Sequence, residues 1–153
     1  MDSVFNVAEW FLSKESMTPK KLQKLVYYAY SWVLALMNED IEDLKNKLFE
    51  DSYPQAWVHG PVFPELYDGY KKYGWKEIEK NSISEFNFSE DVEDILNQVY
   101  DIYGKFSGNQ LESITHQEEP WIKARQGCKP YEISNKVIDD KDIYMCYNSR
   151  IEN

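Results

Sequence analysis

Apolar positions along the chain recur mostly at three- and four-residue steps, the spacing of helices packed on a core. Val4, Val7, Ala8, Phe11 and Leu12 predict a first helix from about Val4 to Ser13, with Asp2 or Ser3 as its N-cap. A stronger pattern follows. Thr18 precedes Pro19, a pairing suited to an N-cap and the first helical position, and Leu22, Leu25, Val26, Ala29, Val33 and Leu36 then form one stripe. Tyr27, Tyr28, Tyr30, Trp32 and Leu34 lie off that stripe, so this helix is apolar over most of its circumference. Such a helix is surrounded by others, which makes it the expected centre of the fold.

Further on, the pattern is interrupted and resumes. Ile41 to Phe49 is charged and of undecided type, and Tyr53 to Pro64 holds three prolines, too many for a regular helix or a central strand. Pro64 suits a helix start, with Tyr67, Tyr70 and Tyr73 roughly on one face before Gly74. Ile78 to Phe88 carries fragments of strand-like alternation at Ile83, Phe86 and Phe88. Ser89 caps a helix striped by Val92, Ile95, Leu96, Val99, Ile102 and Tyr103, and Ser107 with Gln110 forms a capping box for a short one through Leu111 and Ile114. Pro120-Trp121 opens another turn ending near Gly127, and Asp139 marks a last amphipathic helix with Ile143, Tyr144 and Tyr147. The expectation is a mainly α fold: a single compact domain over residues 1–153, six or seven helices around a central buried helix, with a little short extended structure.

Charge narrows the function classes. Asp plus Glu is 27 against 17 Lys plus Arg, a net charge of −10. Phosphate neutralisation dominates nucleic-acid binding, so this balance argues against a DNA- or RNA-binding domain. Lys20, Lys21 and Lys24 form a local basic strip, read as a solvated helix face. The longest nearly apolar run, Val26 to Met37, falls short of the roughly 20 residues of a membrane span, so no membrane partner is expected. The start Met1-Asp2-Ser3 has no basic stretch ahead of an apolar one, and the lone thiols Cys128 and Cys146 make no paired motif. A reduced, cytoplasmic protein is expected.

Chemistry-bearing residues are few. His59 and His116 are far apart in sequence, neither with a neighbouring His or Cys, so no metal and no cofactor is expected. An alternative keeps a small hydrolase or nuclease in view, with the two histidines converging on carboxylates such as Glu118 or Glu119. Two segments are specified beyond the needs of connectors: Ala56-Trp57-Val58-His59-Gly60-Pro61-Val62-Phe63-Pro64-Glu65-Leu66-Tyr67, and Leu111 through Thr115-His116 to Pro120-Trp121. Each sets a His and a Trp beside a proline-containing helix junction. The pair reads either as two corners packed together or as a rigid aromatic binding surface.

These residues resemble a family. Val4-Phe5-Asn6-Val7-Ala8, the helix from Lys21-Leu22-Gln23-Lys24-Leu25 to Tyr30, Ala56-Trp57 with Gly60-Pro61-Val62, and Thr115-His116 with Pro120-Trp121 are similar to the Panacea domain of SocA-like antitoxins and phage-associated GepA-type proteins. The resemblance covers roughly residues 1–125. It implies a mostly helical antitoxin, often prophage-borne, whose partner is a cognate protein toxin neutralised by direct binding. A second implied partner is a cytoplasmic ATP-dependent protease to which the toxin is delivered. No catalytic residues are implied. The expected partner-binding surface comprises Trp57, His59, Gly60, Pro61, Tyr67, His116, Pro120 and Trp121.

Overall fold

A computed structural model describes residues 2–151. In chain order these form helices α1 (Val4–Leu12) and α2 (Pro19–Leu36), strands β1 (Gln55–Trp57) and β2 (Gly60–Val62), then helices α3 (Pro64–Tyr70), α4 (Glu90–Tyr103), α5 (Gly108–Thr115), α6 (Glu119–Ala124) and α7 (Asp140–Ile151). A single 3-10 turn, Lys71–Tyr73, extends α3. The fold is mainly α.

Local signals account for the helix starts. Ser3, Thr18, Ser89 and Ser107 each accept a backbone N–H through the side chain, and Ser107 with Gln110 completes the capping box. α2 occupies the centre, packed against α1, α3, α4, α5, α7 and β2. Its tyrosines bury with its aliphatic stripe: Tyr28 stacks on Tyr103 of α4 at 3.9 Å and meets Tyr147 of α7 edge-on at 6.2 Å.

The structure corrects several expectations. Between Ile78 and Phe88 no strand forms; Ile78 alone pairs with Met17 through two backbone hydrogen bonds. The alternating aromatics instead stack on each other, Phe86 on Phe88 at 5.8 Å, and pack half-buried against the core. Leu36 and Ile102, placed on buried stripes by their spacing, are exposed along a shallow groove between α2 and α4. Tyr73 falls in the 3-10 turn rather than in α3. The undecided stretch before Tyr53 is irregular, its apolar Leu48 and Phe49 turned into the core.

The proline-rich stretch holds a short antiparallel hairpin. Ala56 pairs with Pro61, and Val58 with His59 makes the turn. Gly60 takes the positive φ of 105° that lets the chain rejoin the ladder. Pro61, which has no N–H to donate, stands in the outer strand β2. On its far side β1 is joined by residues 136–138, through Ala56 N–H to Lys136 O at 2.8 Å and Ile138 N–H to Pro54 O at 2.8 Å. No helix among the described residues is long and apolar enough to cross a membrane.

Candidate functional site

The hairpin is held from three sides by the residues singled out in the sequence. From α2, the buried Gln23 side chain donates to Phe63 O at 3.1 Å and accepts from Phe63 N–H at 2.9 Å. Its neighbour Lys24 donates to Pro61 O at 3.3 Å. Two consecutive helix residues thus bond the outer side of the hairpin, Lys24 at Pro61 in β2 and Gln23 at Phe63 just after it. This corrects the reading of Lys24 as part of a solvated strip: it is fully buried, and burial pushes its amine down to about 7, against the pull of Glu112 and with the push of Lys20. The lysine stem also explains Gly60. A Cβ there would lie 2.8 Å from Lys24 Cε and 3.0 Å from Thr115 Oγ1 of α5.

From the other side come α6 and its flanks. Trp121 Nε1 donates to Trp57 O at 2.9 Å, and the buried Arg125 donates to Ala56 O at 2.9 Å. His116 stacks on Trp121 with ring centroids 4.0 Å apart. Burial lowers the His116 pKa, opposed by Glu112 and a hydrogen bond to the Val58 backbone, and its Nε2 is buried without a hydrogen-bond partner. The two Trp- and His-bearing corners pack together.

What faces solvent is a smaller set. Trp57 is half-buried and meets Tyr67 edge-on at 5.0 Å; Tyr67 is 43% exposed. His59, at the hairpin tip, lies 3.0 Å from Glu112 Oε2, while Lys20 Nζ lies 2.7 Å from Oε1. Burial alone would raise the Glu112 pKa, but hydrogen bonds from Lys20 and His59 prevail and hold it below its ordinary value. All eight expected residues therefore sit in one corner. Gly60, Pro61 and Pro120 are buried and shape it, His116 and Trp121 form its inner stack, and Trp57, His59 and Tyr67 present surface.

The carboxylates named for an acid/base pair go elsewhere. Glu118 is buried, accepting from Tyr28 and Tyr147, each at 2.8 Å, and from Arg150 at 2.9 Å. Glu119 is exposed in the first turn of α6. Among the described residues no group of three or more His, Cys, Asp or Glu side chains is placed to hold a metal ion. Gln23, Lys24 and Arg125 carry much of the corner and were not among the expected site residues. For the first two, the available signal was their place in the Lys-Leu-Gln-Lys-Leu motif.

Residues 22–122, about two thirds of the chain, match the family described as Antitoxin SocA-like, Panacea domain. The chain belongs to that family. No curated protein and no solved structure matches it. The Panacea match begins inside the helix motif that clamps the hairpin and ends one residue after Trp121, so it contains the hairpin with its clamps from α2 and Trp121. Arg125, the strand-like residues 136–138 and α7 lie beyond it. Membership makes the chain an antitoxin-type domain.

Proposed function

We propose that this antitoxin neutralises a cognate protein toxin in the cytoplasm by direct, stoichiometric binding, and that the hairpin corner is the contacting surface. The observation that supports this most is the way the corner is built. Gln23, Lys24, Trp121 and Arg125 fix the hairpin backbone from beneath, so Trp57, His59 and Tyr67 are held before any partner arrives. Rigid aromatic side chains with polar tips make strong interface anchors because little conformational freedom remains to be lost. The −10 charge of the chain suits a basic partner, and the same charge disfavours nucleic acid.

The test is a titration of toxin against antitoxin in growing cells. Sequestration predicts that rescue fades once toxin exceeds antitoxin, and that it survives in extract lacking ATP-dependent proteases. Rescue by far less antitoxin than toxin, lost when those proteases are removed, identifies delivery for degradation instead. Tyr67→Ala, at an exposed position, should weaken the complex with an unchanged melting temperature. Folded variants at His59 and Tyr67 that all neutralise at the wild-type ratio move the interface elsewhere.

A further inference from the structure

The apolar stripes of α2 and α4 both reach solvent along the seam between the two helices. Leu36 of α2 is 44% exposed and Ile102 of α4 is 53% exposed. Single exposed apolar residues are ordinary on a protein surface. These two instead wall one groove of about 120 Å³, together with Trp32 of α2 and Ile95, Val99 and Tyr103 of α4. Past Leu36 and Ile95 the surface continues to Asp91 and Asp94. Along α4 stand Glu90, Asp91, Glu93, Asp94 and Asp101, with no Lys or Arg in the helix. None of these carboxylates forms an ion pair among the described residues. Glu90, Asp91 and Glu93 lie in the first turn and complement the helix dipole, but Asp94 and Asp101 stand beyond it. Cations from neighbouring elements are already engaged. Lys45 and Lys47 flank the Asn46 that bonds Met37 O, and they pair with Asp43 and Asp140. Arg150, which acts on Tyr103, pairs with Glu118, and Lys105 past the end of α4 lies over the Phe106 ring at 5.3 Å.

We propose that the α2–α4 groove is a docking site for a basic amphipathic helix of a partner protein. The form of the occupant follows from the walls. Both are helical, so no strand edge is offered for an extended segment to join. The exposed row from Ile95 to Ile102 runs about two turns, or roughly 10 Å, which a third helix with apolar residues at three- and four-residue steps can cover. Its charge follows from the groove itself. Lys or Arg side chains flanking that apolar stripe would meet the unpaired Asp91 and Asp94 at one end. A second copy docking through the same groove would set α4 carboxylates against α4 carboxylates and be repelled. The groove is a surface apart from the hairpin corner. Lys24 and Leu36 are 12 positions apart on α2, about 18 Å of helix. The inference therefore goes beyond the toxin-binding reading and does not depend on it.

The probe is a synthetic peptide of Leu and Lys alone, about 18 residues long and patterned to give one apolar helical face. One control has the same composition in an order that gives no such face; the other keeps the pattern with Glu in place of Lys. Fluorescence anisotropy gives their affinities for the full chain and for its variants L36S/I102S and D91N/D94N, and amide NMR shifts locate the contact. The patterned Leu/Lys peptide should bind wild type and shift residues along the α2–α4 seam. It should lose at least about fivefold in affinity for either variant, and both controls should bind wild type at least about fivefold more weakly. Because D91N/D94N changes only exposed carboxylates, it decides the matter even if L36S/I102S lowers the melting temperature. A smaller loss in either folded variant, a control that binds nearly as well, or shifts centred elsewhere overturns the proposal. So does failure of the wild-type chain to bind the patterned peptide at about 1 mM. A concentration-dependent dimer, seen by light scattering and lost in L36S/I102S, makes the occupant a second copy and likewise overturns it. None of these results bears on the toxin titration, so the two readings fail separately.

Discussion

Lys24 shows how much a single residue's role depends on where its side chain ends. Its amine sits beneath the hairpin with one carbonyl, that of Pro61, as hydrogen-bond partner. Burial holds its pKa at about 7, well below the roughly 10.4 of an unfolded chain. Between those values the unfolded chain binds the extra proton, so this group's contribution to stability rises with pH across that window. The consequence is measurable against Lys24→Met. From about pH 6.5 to 9.5, the wild-type melting temperature should climb relative to the variant. A constant difference across that range would show that the amine stays charged in the fold. Staying below about pH 10 also avoids the buried phenols. Tyr28, raised by burial and then by Glu118, destabilises the fold above that pH because the unfolded chain ionises first. Gln23 carries the companion case. Its two hydrogen bonds satisfy both backbone groups of Phe63, so Gln23→Leu strands a buried N–H and a buried C=O at a cost of about 2–4 kcal/mol. Urea unfolding gives the loss, and faster exchange of the Phe63 amide locates it.

At the scale of elements, helices and hairpin owe their existence to different forces. Each helix start with a side-chain cap, such as Ser89 for α4 or Ser107 for α5, was legible because cap and capped N–H lie within three residues. The stripes were legible too, since every buried position of α4 belongs to the predicted set; only Ile102, at the edge of that stripe, faces solvent. The hairpin is otherwise. Three residue pairs make its ladder, too little for a free two-stranded ribbon to persist in water. It persists because α2, α5, α6 and residues 136–138 supply its remaining partners. Prolines marked the segment as irregular but said nothing of what would hold it.

Across the whole molecule, Glu118 is the junction. It sits just ahead of α6 and receives hydroxyls from Tyr28 of α2 and Tyr147 of α7, with Arg150 of α7 on its other oxygen. α7 lies outside the family match yet packs more closely on α2 than any other element. Glu118→Leu removes the shared acceptor and strands the buried hydroxyls of Tyr28 and Tyr147, while the partly exposed Arg150 turns to water, an expected loss of about 2–4 kcal/mol. Glu118→Gln keeps an acceptor oxygen and should cost clearly less. Thermal unfolding of the two variants decides the matter, and equal losses would mean that the charge opposite Arg150 carries the effect.

Read from sequence alone, the chain already specified a mainly α fold, the central helix, most helix boundaries, and the two segments that meet at the candidate site. These follow from interactions that act over three or four residues: caps, helical periodicity, the backbone limits of Gly and Pro. Tertiary structure decided the rest, because the deciding bonds span long separations: Gln23 to Phe63 across 40 residues, Arg125 to Ala56 across 69, Tyr28 to Glu118 across 90. A lysine at a helix start carries no local mark of burial when its carbonyl partner lies 37 residues away. The same distance dependence assigned Glu118 to two tyrosines and an arginine rather than to a histidine. Which polar groups are buried, and therefore which must find one another, is settled only when the chain closes on itself, since desolvation is a property of the packed core and not of any one segment.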